Sequence, residues 1–218
     1  MRYRRFTGII LKKQNYKEAD QIVTLWTKEN GKIRVLARSV RLNKSKLAYS
    51  LQDLSEVEIE VTLGKFLPVL IAARVKNSFK QLRENLVKIG IAFYACELMI
   101  KMTADEHPSK PVYDLLVEFF RHLAETKVEK NKFHPALEAF TLKLLTRLGF
   151  GMQEAYTNFK IPESLSLHLD TLKSSSFTQA EKVSLNEKTG ERLHQTINNF
   201  IEFILERNLK SNLFLVSL

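Results

Sequence analysis

The 218-residue sequence holds one cysteine, Cys96, so no internal disulfide can form and a four-cysteine zinc site is excluded. Only 7 glycines and 5 prolines are present, which argues against a collagenous or long disordered chain. Long apolar runs are missing too. The longest near-apolar stretch, Ile89 to Ile100, carries Gly90 and Glu97 and falls short of the roughly 18 residues a membrane span needs. Gly8-Ile9-Ile10-Leu11 is too short for a signal-peptide core of about 7–15 apolar residues. A soluble protein of a reducing compartment is expected. No Gly-rich phosphate loop and no Ser/His/Asp or Cys/His set stands out. His107, His122, His134, His168 and His194 lack metal-ligand spacing and read as surface or incidental residues. There is no positive case for an enzyme, and neither a metal nor another cofactor is expected.

What the chain does have is positive charge in one place. Its 34 Lys and Arg exceed its 24 Asp and Glu by ten. Residues 1–46 hold 13 basic side chains against Glu18, Asp20 and Glu29, so they carry the whole excess, and the remaining residues balance to zero. Such asymmetry points to a polyanionic partner for one half only. A membrane surface would select a basic amphipathic helix. The basic region does not read as helix, so nucleic acid fits better.

Residues 5–77 have strand periodicity. Phe6 to Lys13, Asp20 to Lys28, Lys32 to Val40, Ser55 to Leu63 and Leu67 to Lys76 predict five short strands. Asn30-Gly31 predicts a type I′ hairpin turn, which needs positive φ at both central positions. Val57, Ile59 and Val61 alternate with Glu56, Glu58 and Glu60, which predicts one core face and one solvated face. Residues 41–52 read as a loop with at most a helical turn. Five strands in about 75 residues suggest a small barrel. Beyond the boundary near 77–80 the period becomes helical. One helix is predicted from Phe79 to about Thr103. A second carries Val112, Leu115, Leu116, Phe119, Phe120 and Leu123. A third runs from Pro135 to a Gly149 cap, and a fourth carries Leu193, Ile197, Phe200, Ile201 and Ile204. Residues 150–188 predict loops and short helices.

The chemistry concentrates at Lys28, Lys32, Arg34, Arg38, Arg41, Lys44 and Lys46. These are seven cations in 19 residues, opposed only by Glu29. Each phosphate they neutralise releases counterions, giving sequence-independent, salt-sensitive affinity. Aromatic platforms for base stacking are sought among Tyr3, Phe6, Tyr16, Trp26, Tyr49 and Phe66. Trp26 and Phe6 sit inside strands and are assigned to the core. Tyr16, in a turn, is the preferred platform. Glu56, Glu58 and Glu60 leave a metal-dependent nuclease as an alternative, but a solvated strand face is the simpler reading. Glu97, alone among apolar residues, is expected to reach a polar partner or the helix rim. A second class of function stays open, an interaction adaptor whose barrel binds acidic peptides.

The segments Gly8-Ile9-Ile10-Leu11, Tyr16-Lys17-Glu18-Ala19-Asp20, Ile22-Val23-Thr24-Leu25-Trp26-Thr27 and Gly31-Lys32-Ile33 resemble the opening of the RecO recombination and repair proteins. The resemblance continues through Leu36-Ala37-Arg38, Arg41, Lys44-Ser45 and Leu51-Gln52. It resumes at Leu82-Arg83-Glu84-Asn85, Leu144 to Gly149 and Leu209-Lys210-Ser211. It implies an α+β protein, an N-terminal OB-fold β-barrel (1–79) followed by an all-α helical domain (80–218). It implies a cytoplasmic, nucleoid-associated bacterial mediator that binds single- and double-stranded DNA and anneals complementary strands. That mediator would also help load recombinase on strands coated by single-strand-binding protein. The implied partners are RecR and the acidic C-terminal tail of the single-strand-binding protein. Arg34, Arg38, Arg41, Lys44 and Lys46 are the expected phosphate contacts, with Lys32 in support and Tyr16 for stacking. Arg121, Lys143, Arg147 and Arg192 are candidate cations for the acidic tail. Two departures stand out. Residues 150–160 carry no cysteine where many members have a zinc module, and Ser39 stands where many have glycine.

Overall fold

The computed structural model describes residues 3–42, 44–129, 133–151 and 161–211. Its first half is built from β1 (Arg4–Tyr16), β2 (Asp20–Thr27), β3 (Gly31–Ala37), β4 (Glu56–Thr62) and β5 (Val69–Asn77), with the short helix α1 (Lys46–Ser50) between β3 and β4. The strands close a barrel in the order β1-β2-β3-β5-β4, with β3 and β5 parallel and the other pairs antiparallel. This is the small five-stranded barrel expected of an OB fold.

Local sequence explains the barrel's two faces. In the run Ile9-Ile10-Leu11, Ile10 points into the barrel with Val23, Leu25, Val35, Val57 and Ile59. Ile9 and Leu11 point outward, yet they are equally buried, because helices cover that side. Strict alternation would have exposed them; a strand covered on both faces reads as continuously apolar. Trp26, paired with Ile9 across β1 and β2, joins the same outer cluster and is only 2% exposed. Among the described residues its indole Nε1 has no hydrogen-bond partner. Leaving that donor unpaired costs about 1–3 kcal/mol, which the burial of a large ring offsets.

The hairpin at Asn30-Gly31 forms, but not as a type I′ turn. Thr27 pairs with Gly31, leaving Lys28, Glu29 and Asn30 as the loop. Only Gly31 of the two has positive φ (68°). A three-residue loop closed by a left-handed glycine replaces the two-residue turn. Gly31 has a second constraint. A Cβ there would meet the His107 carbonyl oxygen at 2.4 Å, so the loop after the central helix rests directly on it.

The helical half comprises α2 (Lys80–Arg83), α3 (Leu86–Met102), α4 (Lys110–Glu125), α5 (Pro135–Arg147), α6 (Glu163–Ser174), α7 (Phe177–Ala180) and α8 (Glu187–Leu205) among the described residues. The single helix predicted over 79–103 is broken before α3. Asn85 is extended (φ −133°, ψ 124°), and its side chain accepts the Lys88 amide, an N-cap that starts a new helix. At the end of α5, Gly149 (φ 87°) donates to Thr146 O and Phe150 donates to Leu145 O, a two-bond C-terminal cap. Within 150–188, α6 is longer than a loop-rich reading allowed, while 152–160 lie outside the described residues. Phe119 stacks on Phe140 at 4.5 Å and tilts against Phe177 at 5.4 Å, joining α4, α5 and α7 in one core.

Buried polar groups tie distant parts together. Lys32 is only 11% exposed at its side chain. Its ammonium donates to Ile100 O (2.7 Å) and Thr103 O (2.5 Å) and pairs with Asp105 (3.3 Å). A β3 cation thus caps the C-terminus of α3, where the helix dipole favours positive charge. Glu56, expected on a solvated face, is 6% exposed at its side chain. It accepts from Tyr113 on α4 (2.8 Å) and Lys76 on β5 (2.9 Å). Arg83 donates to Asp53 O, Ser78 O and the Gln52 side chain. The histidines were not all incidental. Tyr94 donates to Asn198, Asn198 Nδ2 sits 2.7 Å from His194 Nε2, and His194 Nδ1 lies 2.5 Å from buried Glu138. Glu97 does find partners. It accepts from the Lys210 and Ser211 amides and pairs with Lys101. Burial alone would raise its pKa, but these bonds outweigh that and hold the carboxyl at about 2.

Candidate nucleic-acid interface

The turn between β1 and β2 and the loop after β3 lie side by side. Arg41 N–H donates to Ala19 O (3.0 Å), and the Arg41 guanidinium donates to Glu18 O (2.9 Å). Ser39 N–H donates to Asp20 Oδ1 (2.8 Å). Ser39 has φ 53°, a left-handed backbone that glycine adopts more cheaply, which gives a physical reason for glycine at this place. These bonds hold Arg38 and Arg41 against the turn that carries Tyr16 and Lys17. From Ser45 the chain enters α1, where Tyr49 is 77% exposed. A cleft of about 430 Å³ opens between these pieces, bordered by Lys13, Arg41, Leu42 and Tyr49.

Charge at this end of the barrel is largely uncompensated. Arg38, Lys44 and Lys46 are exposed, and among the described residues none makes an ion pair. Arg41 is exposed and uses one donor on a neutral carbonyl. Tyr16 is 42% exposed, with the Lys17 ammonium 5.5 Å from its ring centre. Free cations beside exposed aromatic rings are what backbone gripping and base stacking require.

The expected residues are therefore divided. The fold brings Arg38, Arg41, Lys44, Lys46 and Tyr16 to one end of the barrel. Arg34 lies elsewhere, exposed on β3 and 3.9 Å from Asp105, in a groove with Arg4 and Phe66. Lys32 is a correction. Its ammonium is consumed by Ile100, Thr103 and Asp105, so it faces the helices rather than a ligand. Lys17 is exposed at this end too and was not singled out from sequence, whereas Tyr49 was named there among the aromatic candidates. Lys17 sits 11 residues before the basic segment, and only the closed barrel brings it near.

The partner candidates fall on the helices. Lys143 on α5 is partly buried, which lowers its pKa. Arg147 one turn later adds to this, and Glu118 on α4 opposes it. Arg121 follows Glu118 by three residues, one turn along α4 from the point where that helix meets Lys143 and Arg147 across the α4–α5 seam. Arg192 is exposed near the start of α8, apart from that seam.

Glu56, Glu58 and Glu60 do not converge. Each pairs with a different cation, Lys76, Arg74 and Arg5. Among the described residues no group of three His, Cys, Asp or Glu is placed to hold a metal ion, and no helix is long and apolar enough to cross a membrane.

Comparison with known proteins agrees in both halves. The family model described as Recombination protein O N terminal matches residues 1–79, and that described as Recombination protein O C terminal matches residues 83–159. A protein named DNA repair protein RecO from Symbiobacterium thermophilum is 36% identical over 143 residues, 66% of this chain and 55% of that protein. One of the same name from Clostridium perfringens is 32% identical over 146 residues, 67% of this chain and 58% of that protein. A third, from Dehalococcoides mccartyi strain CBDB1, is 28% identical over 244 aligned positions, covering 97% of this chain and 94% of its own. In the first two matches the chain spans little more than half the length of its relatives.

Proposed function

The chain belongs to the RecO family of DNA repair proteins, and from that premise we propose that it binds single- and double-stranded DNA at the basic end of its barrel and anneals complementary strands. In this reading residues 1–79 are the DNA-binding unit. Residues 80–218 hold protein partners, namely RecR and the acidic tail of single-strand-binding protein, and assist recombinase loading in the bacterial cytoplasm. The observation that carries the reading is the set of exposed cations Arg38, Lys44 and Lys46, without ion pairs among the described residues, on the segment whose Arg41 and Tyr49 border the cleft.

Annealing needs two things at once. Phosphate repulsion between strands must fall, and base edges must stay free to pair. Cations on mobile side chains grip backbones without reading bases. Tyr16 and Tyr49 offer π-faces, which any base accepts, so stacking adds affinity without sequence preference. The Arg121, Lys143 and Arg147 seam is the proposed cation source for the acidic tail. The lowered pKa of Lys143 marks it as partly dehydrated, a state in which an incoming carboxylate gains more than at a fully hydrated lysine.

A strand-annealing assay with complementary oligonucleotides, with and without single-strand-binding protein, tests the reading. Faster annealing of naked strands, retained on coated strands and lost on strands coated with tail-deleted protein, is expected. No acceleration in either case would overturn it.

A further inference from the structure

The loop from Leu63 to Pro68, between β4 and β5, holds a side chain the fold does not use. Phe66 is 87% exposed, and among the described residues its ring meets only the Lys65 ammonium, 5.5 Å from the ring centre. The loop itself is tightly formed. A Cβ on Gly64 would meet Leu67 O at 1.9 Å, so the backbone folds closely on itself there. Leu36 N–H donates to Pro68 O at 2.8 Å, pinning the loop to β3. Phe66 is thus held in water by a preformed turn, forgoing the gain that burial would give it. Beside it lies a groove of about 250 Å³ bordered by Arg4, Phe6, Arg34, Asp105 and Glu106. Asp105 is already engaged by Lys32 and Arg34.

We propose that this loop is a second contact for single-stranded nucleic acid. An unpaired base stacks on the open face of Phe66, and Lys65 and Arg34 hold the flanking phosphates. This rests on the DNA-binding reading above and extends it. Arg34 on β3 and Arg38, the first residue after the strand, are both exposed, four residues and about 13 Å apart. A strand leaving the Phe66 loop along β3 therefore arrives at the 38–46 loop. Unpaired bases have free π-faces, whereas bases inside a duplex are already stacked. The contact should therefore select single strands, while the 38–46 loop grips either form through phosphates.

The test measures binding of oligothymidylate and of a duplex of equal length to the full chain at fixed salt. Phe66→Ala, Phe66→Trp and Arg38→Glu with Arg41→Glu are compared with wild type, each checked for folding by circular dichroism. Phe66→Ala should weaken oligothymidylate binding about tenfold, one base stack's worth, and change duplex binding less than twofold. Phe66→Trp should restore the lost affinity. The double glutamate variant should weaken both ligands. If Phe66→Ala leaves oligothymidylate binding within twofold while the double variant loses it, the second contact is wrong and the first stands. Equal loss on both ligands overturns stacking. Loss of RecR binding with unchanged oligothymidylate binding assigns the loop to a protein and overturns the proposal. Failure of wild type to bind either ligand overturns both readings.

Discussion

Two ends of one barrel use the same kinds of residue in different ways. Where the barrel meets the helices, half-buried Lys32 and buried Glu56 are fully engaged, and Trp26, Ile9 and Leu11 are packed against the helices. At the other end, Arg38, Lys44 and Lys46 stand in water without ion pairs among the described residues, beside exposed Tyr16 and Tyr49. Lys32 and Arg38 are six residues apart in one strand-and-loop segment and are indistinguishable by charge pattern. What separates them is burial. A buried cation serves the fold because its partners have no other source of compensation, whereas an exposed one with no partner contributes little to folding. Charge clusters in a sequence therefore mark where a polyanion could bind only after the inward-facing members have been removed.

The sharpest way to break this contrast is Lys32→Met. It removes the cap from Ile100 and Thr103 and leaves Asp105 without its nearer cation. Urea unfolding should show a loss of about 2–4 kcal/mol; a loss under 0.5 kcal/mol would erase the distinction. Next comes Arg38→Glu with Arg41→Glu. DNA affinity at about 0.1 M salt should fall at least tenfold, roughly 1.4 kcal/mol, with an unchanged urea midpoint. Ser39→Gly should be smaller and stabilising. Relief of a left-handed backbone gives about 1–2 kcal/mol, and added chain entropy takes back about 0.4–1, so a net gain of about 0.5–1 kcal/mol is expected in the same unfolding assay. Lys46→Ala, at an exposed position, should shift stability by less than about 0.5 kcal/mol.

A pH series adds a check on the helical half. Glu97 is held at about 2, below the ordinary carboxyl value of 4.5. A depressed pKa gives stability that is present above the unfolded value and lost as pH falls through the folded one. The attachment of Lys210 and Ser211 to α3 should hold from neutral pH down to about 4.5 and weaken progressively toward 2. Amide chemical shifts of Ser211 report it. A midpoint near 4.5 would mean that the bonds to Glu97 do not form.

Much of the barrel was legible because its signals are local. Alternation at Val57, Ile59 and Val61 placed β4, and Asn30-Gly31 placed the β2–β3 hairpin, although the turn gained a residue. The helix stripes of α4 and α8 were equally plain, since three and four residues bring a side chain back to one face. The misreadings share a cause. Lys32 meets Thr103 across 71 positions, Glu56 meets Tyr113 across 57, and His194 meets Glu138 across 56. From sequence Lys32 read as a phosphate contact, Glu56 as a solvated carboxylate and His194 as incidental, until a distant partner arrived. The break before α3 was local, and Asn85 was the readable cap. The site was half legible. The charge run was visible, but Lys17 joins it only through the closed barrel.

The most direct test of the central claim is the salt dependence of single-stranded DNA binding by wild type and by the fourfold variant Arg38→Ala, Arg41→Ala, Lys44→Ala, Lys46→Ala. Four phosphate contacts on a single strand give a slope of log K against log salt about 3 units steeper. The account predicts that the variant loses that much slope while keeping its fold. An unchanged slope in a folded variant would place the DNA grip elsewhere and contradict it.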